Sequence, residues 1–167
     1  MTNYRVTDKI RISIGSAIVV GLLKGRLDTK PTTIYLLMCR NEKCSANCGF
    51  CPQSSNSKAK ANMLSRVTWP TFETNNLIKK IERTAKAGII KRICIQSLNY
   101  PEVFDDVLFF AKEVKSKISI PISVSSKPVS YQEMKKWAGV GINRVSIALD
   151  AATKNIFDKV KGHHING

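Results

Sequence analysis

Four of the chain's five cysteines fall within thirteen positions, and the last three, Cys44, Cys48 and Cys51, are spaced C-x3-C-x2-C. On a loop, that spacing gathers three thiolates around one centre, the donor set of a tetrahedral soft-metal site or an iron–sulfur cluster. Three protein ligands in place of four leave one iron of a 4Fe–4S cube open, and an open iron is a place for chemistry. With Cys39 as a fourth thiolate, the same stretch would instead close around zinc, as structural sites do. Disulfides suit the pattern less. Five is an odd count, and no charged stretch followed by an apolar run and a small-residue cleavage site marks export.

The elements that must hold this loop follow from the apolar pattern. Residues 31–38 are β-rich and apolar and read as a buried strand that ends at Cys39. The cysteine loop therefore leaves a strand's C-terminal end, where α/β proteins place their ligands. A polar segment, 53–61, reads as loop. A helix is then predicted from Thr71, as its cap, to Ala87, closed by Gly88.

From there one rhythm repeats. A strand over 92–97 leads to a helix over 101–117, and a strand over 121–125 to a helix over 130–138 with Ser130 and Glu133 as a capping box. The fourth strand, 144–149, ends at Asp150 and gives way to a helix over 151–161. Four strand-helix units in succession predict an α/β fold with a parallel sheet. Residues 1–30 read as an N-terminal helical extension, with a buried helix over 8–27 whose Gly15 and Gly21 allow close approach. Residues 31–167 then form the main domain.

Composition narrows the function class. With 167 residues and 43% apolar content the chain suits one domain with its own core, and no uncharged run is long enough to span a bilayer. The net charge of +15 raises nucleic acid or an acidic protein as a partner. The cations are spread over predicted helices, as in Lys79, Lys80, Arg83 and Lys86, with no arginine-rich run or RNA-binding aromatic motif beside them. Solvated helix faces explain them better than a nucleic-acid footprint does. The contrasting reading is a zinc-held, non-enzymatic module with a basic nucleic-acid-binding surface.

With Phe50 ahead of the third cysteine, the loop resembles that of radical S-adenosylmethionine (SAM) enzymes, and Cys51-Pro52-Gln53 is similar to the biotin synthase-like branch. The resemblance implies a 4Fe–4S cluster on Cys44, Cys48 and Cys51, with SAM chelating the open iron and yielding a 5′-deoxyadenosyl radical. It implies a partial (βα)6 TIM-like barrel, of which four units fit here, and a cytoplasmic setting. Phe50 would lie against the adenine, Gln96 and Ser97 would face the methionine ammonium, and Asp150 would hold the ribose hydroxyls while also serving as an N-cap.

Cys94 stands where biotin synthase holds part of a second cluster, but the next such position is Ser123. A sulfurtransferase of lipoyl synthase type is therefore the nearer relative. Residues 11–17, 64–70 and 148–153 are similar to a component of the archaeal two-component lipoyl synthase. That resemblance implies a second radical SAM subunit or an acidic lipoyl carrier as partner, together with an electron donor. Cys39 is expected to be a buried thiol, and the Gly- and His-containing end from Gly162 to Gly167 points to a fragment or an obligate half.

Overall fold

The computed structural model describes residues 8–38 and 43–162. The readings for Cys39 and for residues 163–167 fall outside that range. Four parallel strands form the heart of the molecule: β2 (Thr33–Met38), β6 (Arg92–Ser97), β7 (Ile122–Ser125) and β8 (Ile142–Ser146). Each leads, directly or through a loop, to a helix: α2 (Thr74–Lys86), α3 (Val103–Lys115), α4 (Tyr131–Gly139) and α5 (Lys154–Lys161). The predicted four-unit α/β order is thus present. The sheet runs in the open order β5 (Thr71–Glu73), β1 (Lys9–Ile12), β2, β6, β7, β8, and no closure into a barrel is seen among the described residues.

Two strands on the β2 side depart from the sequence reading. The helix expected over 8–27 is instead a strand, β1 (Lys9–Ile12), followed by the six-residue helix α1 (Ile14–Val19). β1 lies antiparallel to β2 and to β5 (Thr71–Glu73). The alternation in Lys9-Ile10-Arg11-Ile12, with both isoleucines fully buried, is the strand signal inside a longer apolar stretch. Because Thr71 belongs to β5, helix α2 is capped at Glu73 and not at Thr71. The glycines also differ from expectation: a Cβ at Gly15 or Gly21 would meet nothing, and Gly21 serves through its φ of +72°. A small hairpin, β3 (Met63–Leu64) with β4 (Val67–Thr68), turns through Ser65 and Arg66, both with positive φ as a type I′ turn requires.

Side-chain alternation splits the parallel sheet into two faces. Ile34, Leu36, Ile93, Ile95, Ile122 and Val124 are fully buried and join Leu77, Ile81, Val107, Phe110, Val114 and Trp137 of the helices in one core. The other face carries Tyr35, Cys94 and Ser123 in one cross-strand row, and Gln96 and Ser125 in the next. On that face Leu37, beside Gln96, is fully buried, Tyr35 is exposed and the rest are half-buried, unlike the two-sided burial expected for a parallel strand. Helices α2, α3 and α4 cover one side only, while α5 contributes no buried residue.

Candidate functional site

The cysteine loop is stitched to the C-terminal ends of the strands by backbone groups. Ser45 donates both its N–H and its hydroxyl to the carbonyl of Asn99, each at 2.8 Å. In return the Asn99 N–H donates to Cys44 Sγ at 3.1 Å. Below lies a small apolar cluster of Leu37, Trp69 and Leu98, against which Cys44 packs. On the far side the Gly49 N–H donates to the carbonyl of Val160 at 2.9 Å, which ties the loop to the end of α5.

Gln53 braces the loop from within. Its carbonyl accepts from the Cys44 N–H at 3.0 Å, and its buried side chain donates to the carbonyls of Ala61 and Met63, each at 2.6 Å. Arg11 of β1 donates to that same Ala61 carbonyl, so the missed strand reaches the loop through the acceptor it shares with Gln53.

Cys44, Cys48 and Cys51 are free, half-buried thiols. Burial pushes the Cys48 thiol up; the Lys161 ammonium pulls it down, and the neighbouring Cys51, Cys44 and Asp150 push it up again. The three thiols are therefore electrostatic neighbours, although no three Cys, His, Asp or Glu side chains among the described residues are placed to share one metal ion. A cube takes one thiolate per iron at separate corners, a wider arrangement than ligands sharing a single ion. The donor set, with an N–H already aimed at Cys44 Sγ, fits an anionic cluster whose sulfurs accept hydrogen bonds.

Beside Cys44 and Cys48 opens a cleft of about 720 Å³. Its walls are the C-terminal ends of β6 (Gln96 to Asn99), β7 (Ser125 to Pro128) and β8 (Ser146 to Leu149), joined by Thr153, Phe157 and Lys161. This volume suits a nucleoside-sized ligand.

Gln96 and Ser97 line the cleft as their strand position predicts. Gln96 Nε2 lies 3.3 Å from both Cys94 Sγ and Ser125 Oγ, and the Ser97 hydroxyl donates to the carbonyl of Ser125 at 2.9 Å. Asp150 lies between the lining residues Leu149 and Ala151, in a left-handed conformation with φ +54°. It does not cap α5: Thr153 does, accepting from the Ile156 N–H. Asp150 is instead paired with Lys161. Phe50 is 62% exposed, outside the cleft lining, with the Lys161 ammonium 5.5 Å from its ring centroid.

The sequence reading missed Asn99, Lys127, Ser146 and Lys161. For the first three the available signal was position, since each follows or ends a parallel strand at the ligand-bearing edge.

The radical SAM superfamily model matches residues 38–166. The chain belongs to the radical SAM superfamily. Proteins of this superfamily bind a 4Fe–4S cluster and SAM, the two cofactors expected from the cysteine loop. The crystal structure of HydG, a maturase of the FeFe-hydrogenase, is similar in fold, with a TM-score of 0.59 at 14% identity over 78% of this chain. The chain spans 28% of that structure's chain. No curated protein matches it. Among the described residues of this radical SAM domain, no helix is long and apolar enough to cross a membrane.

Proposed function

We propose that this radical SAM chain is an enzyme of the biotin synthase- and lipoyl synthase-like branch, acting as a sulfurtransferase at an unactivated carbon. The observation that carries the enzymatic part is the placement of Cys44 and Cys48 on the wall of a nucleoside-sized cleft at the ends of four parallel strands. In this reading Cys44, Cys48 and Cys51 hold the cluster. When bound, the cluster and SAM supply a reductively generated 5′-deoxyadenosyl radical able to take hydrogen from carbon.

The chain's own residues bind and orient. Gln96 and Ser97 present a carboxamide and a hydroxyl to an ammonium at the β6 edge, Asp150 offers carboxylate oxygens to a ribose diol, and Phe50 offers a ring face to the adenine. Ser125, Ser126 and Lys127 add polar groups to the wall of the same cleft.

The branch assignment draws on Cys51-Pro52-Gln53, whose glutamine is the fully buried brace of the loop. Lipoyl-type chemistry is favoured over biotin synthesis because Cys94 faces Ser123 across the β6–β7 ladder, where a second thiolate would be needed. A cytoplasmic setting, an electron donor, and a second radical SAM subunit or acidic carrier domain complete the proposal. The net charge of +15 suits such a carrier.

The test is anaerobic reconstitution with iron and sulfide followed by SAM and dithionite. The expected product is 5′-deoxyadenosine, and its absence from a chain that holds a full cluster would refute the enzymatic reading. Octanoylated carrier peptide against dethiobiotin then separates the branches.

A further inference from the structure

Lys161 is the last residue of α5, and the cysteine loop grips the chain on both sides of it. Before it, the carbonyl of Val160 accepts from the Gly49 N–H at 2.9 Å. After it, Gly162 passes so close to Asn47 that a Cβ there would meet the Asn47 carbonyl oxygen at 3.1 Å. Its φ of +82° also disfavours any side chain. The Lys161 side chain is only 15% exposed, lines the cleft, pairs with Asp150 and stands over the ring of Phe50. One cation thus joins both residues expected to meet the nucleoside, which come from separate loops with no contact between them in sequence.

We propose that Lys161 is a positioning residue for the nucleoside half of the cofactor site. It pairs with one oxygen of Asp150, which fixes the orientation of the carboxylate and leaves the other oxygen to accept from a hydroxyl. It holds the Phe50 ring by its face through a cation–π contact, so an exposed aromatic keeps one orientation. Asp150 sits in a backbone conformation that a non-glycine residue adopts at some cost, and the ion pair offsets part of that cost. The inference rests on the radical SAM reading above and deepens it at the same site.

The test uses the anaerobically reconstituted 167-residue chain and its variants, with iron content and the absorbance of the cluster recorded first. S-adenosylhomocysteine, 5′-deoxyadenosine and methionine are then titrated separately by calorimetry. Lys161→Met is expected to keep its cluster and its methionine affinity. It should lose about tenfold in affinity for the two nucleoside ligands, the scale of a lost charge-assisted hydrogen bond. Lys161→Arg should restore most of that loss, and Asp150→Asn should reproduce it. The double variant Lys161→Met with Asp150→Asn should lose no more than either single change.

Additive losses, or an unchanged affinity for 5′-deoxyadenosine, overturn the proposal. So does a Lys161→Met chain that fails to take up iron, since Lys161 would then serve the cysteine loop itself. An unsubstituted chain that assembles no cluster overturns the radical SAM reading instead, and this inference with it.

Discussion

Cys48 is the thiol on which the local forces converge. Burial raises it above the ordinary thiol value of about 8.5. A folded value above the unfolded one means that the metal-free chain has this contribution in full below the ordinary value and loses it as pH rises through the folded one. Iodoacetamide should therefore modify Cys48 in the folded, metal-free chain more slowly than in the urea-unfolded chain near neutral pH. The gap should narrow in alkaline buffer, as peptide mass spectrometry would show. Cys51→Ala removes one of three ligands, so reconstituted iron should fall from about four per chain to well under one. The three cysteines were legible because their spacing is local, whereas the partners of Asp150 and Cys44 were not: Lys161 and Asn99 reach them only through the folded chain.

Among the elements, α4 was read correctly down to its cap. The Ser130 hydroxyl accepts from the Glu133 N–H at 3.2 Å, and the Ser130 N–H donates back to the Glu133 carboxylate at 2.7 Å. Ser130→Ala should cost about 1 kcal/mol in urea unfolding. The Ser130 N–H and hydroxyl hold the Glu133 carboxyl below its ordinary value. Its contribution is therefore present above the unfolded value of about 4.3 and is lost as pH falls through the folded one. The cost of Ser130→Ala should shrink in acid, and an unchanged cost at low pH would contradict this.

Other elements were hidden for physical reasons. β1 carries the alternation of a strand, but the apolar residues after it extend the pattern into an apparent helix, and its partners β2 and β5 lie distant in sequence. The β3–β4 turn uses Ser65 and Arg66 at positive φ, residues that carry no hairpin signal. β8 ends at Ser146 and not at Leu149, which leaves residues 147–149 free to line the cleft.

At the scale of the molecule, one core holds three helices to one face of the sheet, while the other face carries polar residues beside the small Leu37–Trp69–Leu98 cluster. Phe110, fully buried within that core, should cost about 3–5 kcal/mol on replacement by alanine, read as a lower urea midpoint. Lys79, Lys86, Lys112, Lys135 and Lys159 are exposed on helices, as solvated faces require, whereas Lys80 and Lys115 are half-buried and Lys161 lines the cleft. Association with an acidic carrier domain, if this surface steers it, should slow steeply as salt rises, whereas apolar docking would change little.

The central claim is that the three cysteines hold a 4Fe–4S cluster to which SAM binds. The most direct measurement is iron, zinc and sulfide analysis with an ultraviolet–visible and electron paramagnetic resonance spectrum of the reconstituted chain, before and after SAM. A broad absorbance near roughly 400 nm, with about four irons and a reduced-cluster signal that shifts on adding SAM, is the result predicted. A colourless chain holding one zinc and no labile sulfide would contradict it and turn the same cysteines into a structural clip.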